Sequence, residues 1–278
     1  MCRGGVRPGH QGPTACPCPA IERIVGCRCC LLSGVASVGD VKALYFCEGE
    51  DSSLGLLAPV LEAHELDPVR VVRHDQLAVD DYSDVALTIH LGAAPAPYDP
   101  AIADRVVAEG RIMMDALAAG TPVLGICYGV QLLAHTLGGT TFDSEHREYG
   151  IFEVESEDPV LCPTGPWVES HQHTYSVPDG AVRLGRTNSG PQGITWTHPN
   201  GTRALGWQFH PEVTPESLRR WQTTNPRWFR DHDDPAAVVE RVEREADQFR
   251  ARSHTLLHSA FDWLGVPRPV TATTGERA

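Results

Sequence analysis

Residues Val123–Gln131 read VLGICYGVQ, and the reading of this stretch decides the fold. PVLGI (122–126) is a short, uninterrupted apolar run with the length of a fully buried strand. VQLLAHTLGG (130–139) has helical spacing and a glycine stop. Between them stands Gly125-Ile126-Cys127-Tyr128-Gly129. A cysteine between two glycines at a strand-to-helix junction has the form of a nucleophile elbow, more often seen as G-x-S-x-G. Such a turn is sharp, so its flanks cannot carry bulky side chains. It also lifts the nucleophile out of the carboxyl edge of the sheet, beside a helix N-terminus. Unpaired N–H groups there favour a thiolate, and the N–H after the nucleophile can meet an oxyanion. A buried cysteine in a junction that needs glycine only for geometry would read the same way. The elbow therefore needs partners elsewhere in the chain.

Outward from the elbow, the pattern alternates. VKALYFC (41–47), VRVVR (69–73) and DVALTIHL (84–91) read as strands, with an amphipathic stretch from Ser52 to His64 between the first two. Tyr98 to Ala119 carries apolar residues at helical spacing and is closed by Gly120. Strands alternating with helices across short turns give an α/β fold: a mainly parallel sheet with helices on both faces. Between 141 and 208 the runs IFEVES, PWVES, AVRLG, GITWT and RALGWQF, separated by Pro, Gly and Asn, read as strands and hairpins added to the same fold. Beyond Pro215 the chain returns to helix, with residues 238–264 as one long amphipathic run. Its charged part, VVERVEREADQFRAR, reads as a solvated face with i,i+4 pairs.

Composition narrows the function classes. The chain has 278 residues, of which 41% are hydrophobic and 21% charged, enough for a sizeable core in one domain. A net charge of −13 without a basic patch argues against nucleic-acid and anionic-membrane binding. No apolar run approaches the roughly 20 residues that span a bilayer. Of nine cysteines, six (Cys2, Cys16, Cys18, Cys27, Cys29 and Cys30) crowd the N-terminus, and only Cys47, Cys127 and Cys162 follow. Three scattered thiols are no disulfide framework, which points to a reducing, cytoplasmic setting. Residues 1–40 are read as an irregular Cys/Pro/Gly-rich extension and 41–278 as the domain. Cys27 and Cys30 form a C-x-x-C, but Cys16-Pro-Cys18 has the wrong spacing to complete a zinc site.

A thiol nucleophile needs a base, and the base needs a third group to orient it. Gly206-Trp207-Gln208-Phe209-His210-Pro211-Glu212 follows a β-like run and precedes a helix. His210 and Glu212 are two apart across a rigid proline, so the carboxylate can reach back to the imidazole and fix its tautomer. His171 and His173, at i and i+2, would point the same way on a strand. No third ligand stands at an obvious spacing, so they are not read as a metal site.

GICYGVQ on an elbow, followed by GWQFHPE, resembles the class I (triad-type) glutamine amidotransferase family, in particular GMP-synthase-like glutaminase domains. The likeness runs from about Val41 to the C-terminal helix. HLGAAPAPYD (90–99) looks like the family's glycine-rich loop, REYGIFEV (147–154) like its turn into an inserted sheet, and Glu169-Ser170-His171 like its Ser-His element.

The resemblance implies a flavodoxin-like, open, mixed sheet and a Cys-His-Glu triad of Cys127, His210 and Glu212. It places the oxyanion hole at the N–H of Tyr128 and one from the Gly92–Ala93 loop. Gln131 and the Ser170–His171 backbone would hold the α-amino and carboxylate end of glutamine. It implies no metal and no cofactor, and an acceptor or synthetase protein in trans that uses the released ammonia. Where the family has a second glycine, this chain has Ala93, whose β-carbon raises the cost of any conformer with φ > 0. Two other readings stay open at this point: a free-standing hydrolase of γ-glutamyl amides or peptides, and a catalytically silent regulatory subunit.

Overall fold

The computed structural model describes residues 41–49, 52–75, 77–224 and 234–269. All of them belong to one compact unit, Ser37–Ala278. The N-terminal extension, its cysteines and the boundary at residue 40 lie outside the described residues.

The strands are β1 (Lys42–Cys47), β2 (Asp67–Val72), β3 (Val85–His90), β4 (Val123–Ile126), β5 (Thr141–Phe152), β6 (Glu155–Ser156), β7 (Trp167–Tyr175), β8 (Val182–Thr187), β9 (Gly190–Thr197) and β10 (Arg203–Trp207). The helices are α1 (Leu57–Ala63), α2 (Ala103–Ala119), α3 (Tyr128–Thr136), α4 (Pro215–Thr224), α5 (Pro235–Arg244) and α6 (Ala246–Leu264). Eight strands form one sheet in the order β2-β1-β3-β4-β10-β9-β8-β6. The first five run parallel, and β9, β8 and β6 continue the sheet antiparallel. This is the mixed, mainly parallel sheet expected.

The two-residue period of a strand explains how both faces become buried. On β4, Leu124 and Ile126 face a core shared with α1 and α6, where Leu57, Leu61, Leu257 and Phe261 pack. Val123 faces the other way, into a core with Met113 and Leu117 of α2 and Leu132 and Leu133 of α3. On β10 the same alternation sends Leu205 and Trp207 to the first core and Ala204 to the second. Both central strands are apolar on both faces and cannot lie at an edge.

Four expectations are corrected in detail. The stretch from Ser52 is helical only over Leu57–Ala63, and the segment from Tyr98 begins with a short 3-10 turn, Pro100–Ile102, before α2. REYGIFEV is not a turn: its first six residues lie in β5, which with β7 forms a separate two-stranded antiparallel ribbon. The long C-terminal run is two helices broken at Glu245. Its charged face is solvated as expected, with Glu240, Glu243 and Arg244 exposed and Arg241 paired with Glu245 at i,i+4, while Val238, Val239 and Val242 on the other face are buried against Leu218 of α4. Among the described residues no helix is long and apolar enough to cross a membrane.

The glycines of the elbow are required by close approach. A β-carbon on Gly125 would lie 2.6 Å from the carbonyl carbon of Gly129. One on Gly129 would lie 2.0 Å from the carbonyl oxygen of His90, and one on Gly206 2.5 Å from Val130. Gly206 is the register partner of Gly125. The first turn of α3 thus rests directly on the ends of β3, β4 and β10, with no room for a side chain between. Gly129→Ala meets backbone, which cannot swing away, and is expected to cost about 3 kcal/mol or more. Denaturant unfolding of the purified variant measures it.

Candidate active site

Cys127 is one of two non-glycine residues with positive φ among the described residues, at φ 54° and ψ −109°. Its N–H donates to Trp207 O on β10 (2.7 Å), while its carbonyl accepts from the N–H groups of Val130 and Gln131. The backbone is therefore held from both sides in a conformation an L-residue avoids, at a cost of about 1–3 kcal/mol. The N–H of Tyr128 opens α3 and has no acceptor within the helix.

The Cys127 thiol is buried at 5% exposure. The side chain of Gln208 donates toward its Sγ at 3.7 Å, and the carbonyl of Ser170 faces it at 3.9 Å. His210 reaches the same point from the segment after β10, where its N–H donates to Val168 O at 2.8 Å. Its Nδ1 lies 2.8 Å from Oε1 of Glu212, and Trp221 of α4 packs edge-on against the ring at 4.8 Å. Burial alone would lower the His210 pKa, but the charges of Glu212 and Cys127 outweigh it. The imidazolium is held well above the ordinary histidine range. Gly92 completes the group: a β-carbon there would lie 3.2 Å from the His210 ring and 3.9 Å from the thiol. Cys127, His210, Glu212 and Gly92, nominated from three separate stretches, thus meet at the carboxyl ends of the parallel strands.

Two openings flank the thiol. A cavity of about 390 Å³ is lined by Glu48, Ser52, Ala93, Cys127, His210 and Trp221, among others. A far narrower crevice on the other side is lined by Ala93, Cys127, Gln131, Tyr149 and Ser170. Ala93 does not have positive φ, so the backbone cost expected of its β-carbon is not incurred in this conformation. Gln131 is buried, with its amide donating to His173 O (3.0 Å) and Gln208 Oε1 (3.1 Å). Ser170 Oγ is buried without a partner among the described residues.

The sequence reading found no third ligand for His171, but the fold brings two carboxylates to it. Glu148 from β5 lies 3.0 Å from Nε2 and Glu169 from its own strand 3.2 Å, while Nδ1 is 3.1 Å from His173 O. One atom from each of Glu148, Glu169 and His171 lies within 4.8 Å of the others. Both ring nitrogens of His171 face oxygen acceptors. Burial would lower the His171 pKa, but Glu148 and Glu169 lift it to about 10. Burial raises Glu169 to about 7 against the pull of His171. The ring sits in a buried ion cluster, and the Ser170 carbonyl faces the thiol. His173 is not its twin: it lies 3.5 Å from Asp143 and edge-on to Tyr98.

Three participants carried no signal in the sequence. Arg73, Glu109 and His90 are fully buried and join behind the Gly92 loop, coming from the end of β2, from α2 and from the end of β3. Gln208 and Trp221 were also not nominated, although Gln208 lies inside the quoted GWQFHPE.

An open, mainly parallel α/β sheet with a cysteine on a glycine-flanked elbow and a His–carboxylate pair beside it defines the class of molecule. The sequence model of "Glutamine amidotransferase class-I" matches residues 68–221, and the chain belongs to that family. Over 110 residues it is 36% identical to a GMP synthase [glutamine-hydrolyzing] of Pseudoalteromonas atlantica, covering 34% of this chain and 21% of that protein. A GMP synthase [glutamine-hydrolyzing] of Acetivibrio thermocellus is 39% identical over 100 residues, 34% of this chain and 19% of its own. The match thus spans about a fifth of the length of these curated relatives. In fold, a glutamine amidotransferase of Thermotoga maritima superposes with TM-score 0.69 at 22% identity, over 81% of this chain and 98% of that one. A second, from Methylobacillus flagellatus, gives 0.66 at 21% identity, over 85% and 98%.

Proposed function

We propose that the protein is a glutamine-hydrolysing amidotransferase whose nucleophile is Cys127. The observation that carries this reading is the meeting of Cys127 with the His210–Glu212 pair at the strand ends, beside an accessible cavity. The thiolate attacks the side-chain amide carbon of glutamine, and the resulting oxyanion turns toward the N–H of Tyr128 and the Gly92–Ala93 loop. The His210 imidazolium gives its proton to the departing nitrogen, and ammonia leaves a γ-glutamyl thioester. His210 then takes a proton from water, which attacks the thioester and releases glutamate. Gln131 and the 170–171 backbone flank the narrow crevice and are placed for the amino-acid end of the substrate. Likeness to GMP synthases supports a synthetase partner as consumer of the ammonia. The test is release of glutamate and ammonia from glutamine, measured with and without cell extract. Equal amounts of both products are expected from the protein alone; no glutamate release under either condition would overturn the reading.

One observation favours a second substrate class. The cavity beside Cys127 and His210 is much larger than departing ammonia requires. A γ-glutamyl amide with a bulkier amine would use it. Faster turnover of γ-glutamyl anilide or methylamide than of glutamine would establish that alternative.

A further inference from the structure

Arg73 is the most fully committed side chain behind the site. It is 2% exposed, at the end of β2. Its Nε donates to both oxygens of Glu109 (2.9 and 3.1 Å), Nη2 to Leu91 O (2.8 Å) and Nη1 to Gly92 O (3.3 Å). The guanidinium lies 4.8 Å over the ring of Tyr128, the residue after the nucleophile. Glu109 in turn receives His90 Nδ1 at 2.8 Å, and the His90 ring stacks on Phe46 at 4.4 Å. Burial works against the Glu109 charge, but Arg73 and His90 outweigh it and hold the carboxyl at about 2.

A wholly buried ionic cluster is a costly way to fill a core, and apolar residues of similar volume often do as well. What apolar residues could not do is grip two successive carbonyls. The planar guanidinium fork is suited to this, with five donors at fixed angles. In a trans peptide the N–H points opposite the C=O. Drawing the Leu91 and Gly92 carbonyls onto Arg73 therefore turns the N–H groups of Gly92 and Ala93 away from it. Neither N–H has an acceptor among the described residues, and Gly92 faces the Cys127 thiol and the His210 ring.

We propose that Arg73, held by Glu109 and His90, is a positioning residue that fixes the Leu91–Gly92–Ala93 backbone with its N–H groups toward the oxyanion. The assignment rests on Cys127 being the nucleophile. It explains how the loop keeps one orientation although Gly92 itself would allow a peptide flip, and it makes the oxyanion hole pre-formed.

The test compares a reaction that forms an oxyanion with one that does not. Arg73→Lys keeps a positive charge beside Glu109 but loses the fork. Its kcat for glutamine is expected to fall by ~10²–10³, the usual effect of one lost oxyanion donor, with KM nearly unchanged. Alkylation of Cys127 by iodoacetamide, a displacement at saturated carbon read by mass spectrometry, should keep its wild-type rate. A kcat close to wild type, or alkylation that falls in step with kcat, would overturn the proposal. Should Arg73→Lys not fold, Glu109→Gln turns an amide N–H₂ against Arg73 or His90 and loosens the same grip. It should lower kcat while sparing alkylation, and an unchanged kcat again overturns the proposal. If the wild-type protein releases no glutamate at all, the glutaminase reading fails before this one is reached.

Discussion

Cys127→Ala is expected to lower glutamine turnover by about six orders of magnitude, the loss seen when a covalent nucleophile is removed from a triad. Neither of the other two thiols among the described residues can substitute for it. Cys47 and Cys162 are both buried, and burial raises both of their thiols above the ordinary range, so they stay protonated and inert. A glutamine-analogue diazo ketone should label Cys127 and neither of these. The substitution removes little structure, because the Sγ contacts at 3.7 and 3.9 Å are long and the backbone bonds of residue 127 remain. The thermal midpoint of Cys127→Ala should therefore stay close to that of the wild type. Cys127→Gly makes the sharper point. At φ 54° and ψ −109° a glycine loses the strain that any β-carbon carries. That variant should be as inactive as the alanine form yet more stable by about 1 kcal/mol. Stability gained as activity is lost would mark the backbone of residue 127 as strained for function. Turnover surviving in Cys127→Ala, with label at Cys47 or Cys162, would sink the assignment.

The elbow was legible because it is local. A buried strand, a glycine-flanked cysteine and a helix stand within 17 consecutive residues, 122–138, and Gly125 and Gly129 each answer to a contact within that turn or with the strand ends beside it. His210 and Glu212 were legible for the same reason, since a proline between two polar residues fixes their relation without help from the fold. The Arg73–Glu109–His90 network was not, because its members come from three elements and share no spacing. Arg73 looked like one more charged residue at a strand end. The carboxylates around His171 were missed for a related reason. Glu148 reaches it only through the pairing of β5 with β7, which matches Glu148 with His171 across a register shift. The first half of β5 gave no strand signal because most of Phe142–Arg147 is exposed, leaving no apolar alternation to read. The break at Glu245 was hidden for the opposite reason. Both flanking helices bury an apolar face, so the helical period continues, but Val239 and Val242 join the cluster around Leu218 whereas Leu257 and Phe261 join the main core.

Glu212→Gln tests the electrostatic half of the site while keeping its shape. The carboxylate is buried at 6% exposure, and its Oε1 faces His210 Nδ1 at 2.8 Å. The backbone of residue 212 is clamped, since its carbonyl accepts from Leu56 N–H at 2.8 Å and a β-carbon on Gly55 would lie 1.9 Å from that oxygen. A glutamine at 212 therefore stays in place, and its amide oxygen can still receive the Nδ1 proton. What disappears is the charge. Burial pushes the His210 pKa down, and Glu212 is the largest influence opposing it, with Cys127 next. Without Glu212 the imidazolium becomes easier to deprotonate. In the wild type, with the pKa raised, His210 keeps its proton until the pH climbs well past the ordinary histidine value of ~6.5. The alkaline limb of kcat/KM should accordingly lie well above that value. In Glu212→Gln this limb should move toward neutral pH, and kcat near neutrality should fall by ~10²–10⁴, as when a triad loses the charge that orients its histidine. Lowering the pH should restore part of the loss by returning the proton to His210. A merely structural role for Glu212 would lower activity evenly across pH. Superimposable wild-type and variant profiles would remove Glu212 from the chemistry and leave His210 to be held by Cys127 alone.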